Sequence, residues 1–140
     1  MTEAQTAVSR RAVACKGWRW MPGMRAVRVE EPPFVSEGFD ASKLLGRTCR
    51  VYEVSESGSV RGSSDTFRTT STAYAPDLTD AATLGCLLAL VREAWESPKA
   101  NVSWVTDDKC MVVFDTGHAQ RFLLGDTEAE ALVVALESAP

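Results

Sequence analysis

The last sixty residues constrain the fold most. From Ala81 to Glu96, Leu84, Leu87, Leu88, Val91 and Trp95 recur at i, i+3, i+4, i+7 and i+11, which is one apolar stripe along a helix. Asp80 is the expected N-cap, with Asp77 and Thr79 as rivals. Ser97-Pro98 stops the helix, because the residue before proline leaves the α region. Three strands follow, Asn101–Thr106, Lys109–Asp115 and Ala119–Leu124, joined by Asp107-Asp108 and by Thr116-Gly117-His118. Links this short require antiparallel pairing, since parallel neighbours need a long crossover. Thr127-Glu-Ala-Glu130 spells a capping box and opens a final helix to about Ser138, with Ala129, Leu132, Val133 and Leu136 facing inward. The C-terminal half therefore reads α-β-β-β-α.

The N-terminal half is less regular. Residues 2–16 predict a short amphipathic helix stopped at Gly17. Trp18 to Val29 read as strand, turn and strand around Met21-Pro22-Gly23. Residues 30–46 read as loop, with a helical turn near Asp40–Leu45. Thr48–Val54 is a strand by composition. The Ser- and Gly-rich run 55–64 predicts a mobile tip, Asp65–Thr70 a returning strand and Ser71–Pro76 a linker, so a variable insert with a mobile loop is expected around 55–72. The fold class expected is α+β in a single domain over 1–140: an antiparallel sheet covered by helices, α-β-α sandwich-like.

Composition narrows the function. With 45% hydrophobic and 24% charged residues in 140, the chain has material for a core and lacks the signature of a disordered protein. The longest uncharged apolar stretch, Ala81–Val91, is too short to span a bilayer. The polar start has no apolar signal region, which predicts a cytoplasmic protein. Charge is uneven: residues 1–70 carry 11 basic and 8 acidic side chains, residues 71–140 carry 4 and 11. Four widely spaced cysteines and one histidine, with no CxxC pair, predict free thiols and no zinc site.

The most suggestive stretch is basic and aromatic. Arg10, Arg11, Lys16, Arg19, Arg25 and Arg28 occur with no acid between them, and Trp18 and Trp20 lie inside the run. Arginine offers forked donors to phosphate, and indoles stack on bases. Trp18, Arg19, Trp20, Arg25 and Arg28 are therefore the candidate ligand-binding residues, for a nucleotide or short nucleic acid. In a strand, however, Trp18 and Trp20 share one face and Arg19 the other, which suits buried tryptophans and solvated arginines.

Other constellations carry less. The α-β-β-β-α order is also that of double-stranded-RNA-binding domains, but Asp126, Glu128 and Glu130 stand at the last helix start, where phosphate would be repelled. Cys110 and His118 could meet across a hairpin, and Asp107, Asp108 and Asp115 could hold a metal. A buried thiol and solvated turn acids are the plainer readings. No P-loop, GxGxxG, HExxH or GxSxG occurs. No catalytic residue, metal or cofactor is expected. Gly85 costs about 1 kcal/mol against alanine in a helix, which points to a close neighbour there, another helix or a second copy.

The run Asp77–Trp95 resembles the helix of small uncharacterised bacteriophage and prophage proteins, which also carry a sequence like Cys15–Met24 and an ending like Thr127–Val133. The layout is similar to the phage α-β-α sandwich domain. The resemblance implies a phage origin and a helix–sheet–helix sandwich, and brings no catalytic residues. The expectation is a non-enzymatic phage accessory protein in the bacterial host cytoplasm. It would act by binding a host or phage protein, away from membranes, as a monomer or homodimer. The alternative is a small anionic ligand or nucleic acid on residues 16–28.

Overall fold

In the computed structural model, which describes all 140 residues, the chain folds around two antiparallel sheets and three helices. Helix α1 (Glu3–Ala14) is opened by a reciprocal capping box between Thr2 and Gln5, which satisfies two backbone donors. A five-stranded sheet follows from β1 (Arg25–Arg28), β2 (Thr48–Val54), β3 (Ser59–Gly62), β4 (Thr66–Arg68) and β5 (Tyr74–Pro76), in the order β4-β3-β2-β1-β5. Helix α2 (Ala81–Ala94) leads to the meander β6 (Asn101–Thr106), β7 (Lys109–Asp115) and β8 (Gln120–Gly125), and α3 (Glu128–Glu137) closes the chain. The fold is α+β, with its strands in two antiparallel sheets.

The C-terminal expectations match these elements closely. Asp80 caps α2, accepting from the Thr83 amide at 3.0 Å. Thr127 caps α3, accepting from the Glu130 amide, while the Glu130 carboxylate reaches back to the Asp126 amide rather than to the cap residue. A 3₁₀ turn, Ala41–Leu44, is capped by Asp40.

The N-terminal half departs in three places. Trp18 to Met21 form no strand; only Arg25–Arg28 pairs, with β2 on one side and β5 on the other. The expected linker Ser71–Pro76 contains strand β5, whose Pro76 is tolerated at the sheet edge because no ladder donor is needed there. The stretch read as a mobile loop around 55–72 holds β3 and β4, paired in register from Ser59↔Arg68 to Arg61↔Thr66. Val60 and Phe67 from these strands are buried. The returning strand expected at Asp65–Thr70 is present as β4, whereas β3 lies inside the serine- and glycine-rich run read as a mobile tip.

Buried side chains from both sheets and all three helices form one cluster of 22 residues. The α2 residues Leu87, Leu90 and Val91 meet Leu132, Val133 and Leu136 of α3 in it. The inner face of β7, Cys110, Val112 and Phe114, packs beneath α3. Gly125 makes this approach feasible: a Cβ there would collide with the Ala131 backbone. Gly85 has no such cause, since nothing lies within 4 Å of a Cβ built on it. No helix of the chain itself supplies the close neighbour expected there.

Candidate functional site

The basic-aromatic stretch is drawn into the core. Without a strand at 18–20, the two indoles turn toward each other, with ring centroids 5.7 Å apart and edge to face. Trp20 is buried and continues onto Phe67 at 5.1 Å, which stacks on Tyr74 at 4.2 Å. Arg28 ends this ladder, over the Tyr74 ring and donating to its hydroxyl at 2.9 Å. The Trp18 Nε1 donor is buried with no acceptor.

The arginines are engaged within the chain. Arg19 pairs with Glu93 at 2.7 Å on the surface. Arg25 reaches Asp77 at 3.3 Å and Asp80 at 3.5 Å. Arg50 adds two bonds to Asp80, at 2.6 and 3.0 Å, and one to the Gly23 carbonyl. Asp80 thus caps α2 and fastens it to two strands of the larger sheet. The Arg50 guanidinium, with Thr83 donating beside it, holds the Asp80 carboxyl well below the usual carboxylate range. An anion bound at Arg19, Arg25 or Arg28 would compete with these partners, and Trp20 has no free face to stack on a base.

The other chemical candidates are separated by the β7–β8 register. Cys110 pairs with Gly125 at one end of the hairpin, whereas His118 sits in the turn beyond Asp115↔Gln120 at the other. Asp107 and Asp108 lie in the β6–β7 turn, likewise a strand's length from Asp115. No three His, Cys, Asp or Glu side chains gather as a metal site. Burial pushes the thiols of Cys15, Cys49, Cys86 and Cys110 up from their ordinary value. They are protonated at neutral pH and poor nucleophiles.

The feature the sequence reading missed is the outer face of the three-stranded sheet. On β7, Cys110, Val112 and Phe114 point inward, so Met111 and Val113 point out. Their cross-strand partners on β8 are Leu124 and Phe122. These are 58% and 54% exposed, and Val105 on β6 is 52% exposed. A register shift between Trp104 and Thr106 leaves Val105 as the extra residue of a bulge, the device by which edge strands re-aim side chains. A phenylalanine half exposed shows roughly 100 Å², so the patch amounts to about 300 Å², the size of the largest apolar patch on an ordinary monomer, which is often functional. Its signal was present: Cys110–Phe114 is an unbroken apolar run. In an antiparallel strand, apolar residues on both faces are expected when both faces become covered.

No family model, curated protein or solved structure matches the chain. No helix is long and apolar enough to cross a membrane.

Proposed function

We propose that the protein acts by binding another protein through the outer face of β6-β7-β8, without catalysing a reaction. The carrying observation is the juxtaposition Met111–Leu124 and Val113–Phe122 on a face with no helix over it. Apolar side chains held in water forgo about 25 cal/mol for each Å² they could bury. A flat, ladder-supported face suits a protein surface better than a small ligand. The inner face is rigidly backed by α3, so the outer residues are pre-positioned and lose little freedom on docking. The phage resemblance would make the partner a host or phage protein.

The test is differential capture from a bacterial lysate with immobilised protein. The double variant Phe122→Asp, Leu124→Asp keeps the inner face intact and should melt within a few degrees of the wild type. Phe34, an exposed side chain outside every helix and strand, provides the control: a partner captured by the wild type and by Phe34→Ser, but lost by the double variant, supports the reading. Indifference of every captured protein to the double variant refutes it.

A further inference from the structure

On the helix-covered side of β6 a groove of about 480 Å³ opens between α1, the start of α2 and the start of α3. Its floor is apolar: Leu78 is buried, and Val8 and Leu84 are partly buried against the core. Trp104 forms one wall and stays 57% exposed. The rim carries Asp126, Glu128 and Glu130, and no lysine, arginine or histidine lines the groove.

The fold engages two of these three carboxylates and leaves Glu128. Asp126 pairs with Lys109 outside the groove. Glu130 accepts from the Asp126 amide at 2.9 Å and faces Arg11 at 3.9 Å. Glu128 makes neither an ion pair nor a side-chain hydrogen bond, although it sits one residue past the Thr127 cap. Glu128, the one rim carboxylate without a basic partner, disfavours an anionic occupant by like charge. An indole face beside carboxylates favours an organic cation, which gains from both. An apolar floor of this size accepts an aliphatic side chain.

We propose that this groove docks a basic, amphipathic segment of a partner protein. An aliphatic side chain of that segment rests on Val8, Leu78 and Leu84, and a neighbouring lysine or arginine lies between Trp104 and Glu128. The groove is on the opposite side of β6 from the open sheet face, so it stands independently of that face being used.

The probe is a synthetic peptide alternating leucine and lysine, with a second peptide carrying glutamate for every lysine. Binding is followed by NMR of the folded, isotope-labelled protein, where each tryptophan indole N–H gives its own signal. The expected result is saturable binding of the lysine peptide, with shifts at the Trp104 indole and the Leu78 and Glu128 amides. Trp104→Ala and Glu128→Lys should each weaken it about tenfold, the loss typical of an interface anchor. Glu56→Lys, an equal charge change on the distant β2–β3 turn, should leave affinity unchanged apart from long-range screening. Trp104 is largely in solvent, so its replacement should leave the melting temperature in place. Absence of saturable binding, shifts centred elsewhere, equal affinity for the glutamate peptide, or indifference to Trp104→Ala would each overturn the proposal.

Discussion

Asp80→Ala is the sharpest probe of how the two halves are joined. The carboxylate caps α2 through the Thr83 amide and hydroxyl, and binds Arg50 twice. Loss of an N-cap costs about 1 kcal/mol. The paired charge-assisted bonds would contribute more, but Arg50 is 41% exposed, and solvent screening reduces them to about 1–2 kcal/mol. The expected loss is about 2–3 kcal/mol, or roughly 7–10 °C in melting midpoint for a chain of this length. A double-mutant cycle with Arg50→Ala should return a coupling near 1 kcal/mol. The pH dependence has a fixed sign. Arg50 depresses the folded-state pKa of Asp80 below its unfolded value, so the contribution is complete above the unfolded pKa, about 4. It is lost as pH falls from there through the folded value. The gap between wild type and Asp80→Ala should therefore narrow as pH falls below 4. A loss under about 0.5 kcal/mol, zero coupling to Arg50, or a gap that widens in acid would refute the reasoning.

Three further outcomes follow from particular contacts. Gly125→Ala forces a Cβ into the α3 backbone at Ala131; overpacking of this kind costs 1–3 kcal/mol or more, read by urea unfolding. Gly85→Ala meets open space on an exposed helix face and should stabilise by about 1 kcal/mol, raising the same midpoint. Trp18→Phe removes a buried donor that has no acceptor. Its lost indole packing is offset by relief of about 1–3 kcal/mol of desolvation penalty, so stability should change by far less than a Trp→Ala core deletion.

The α2-to-α3 half was legible because its signals are local and agree. Asp80 and Thr127 cap, two-residue and three-residue turns set antiparallel neighbours, and the apolar stripes follow one period; the stop of α2 comes earlier than Pro98, at Glu96, whose positive φ turns the chain. Even there, the deepest positions on α2 include Thr83 and Leu90 rather than Leu84 and Leu88, because the neighbours α3 and β1 set the rotation of the helix. The expected returning strand Asp65–Thr70 is present as β4, whereas β3 was hidden in the Ser- and Gly-rich run, where Val60 is its only buried side chain. Trp18 and Trp20 were legible as core candidates, but their partners Phe67 and Tyr74 lie some fifty residues away, beyond what spacing reports. The pairing of Arg25 and Arg50 with Asp80 was hidden for the same reason. The open sheet face was written in the run Cys110–Phe114, yet a sequence does not say which face a helix leaves uncovered.

Docking of a protein on the outer face of β6-β7-β8 is open to direct measurement. The most direct measurement is quantitative capture with wild type and with the Phe122→Asp, Leu124→Asp variant, after circular dichroism has shown equal folding. At least one protein should be held by the wild type in near-stoichiometric amount and released by the variant. The same captured set from both, or none that depends on this face, contradicts it.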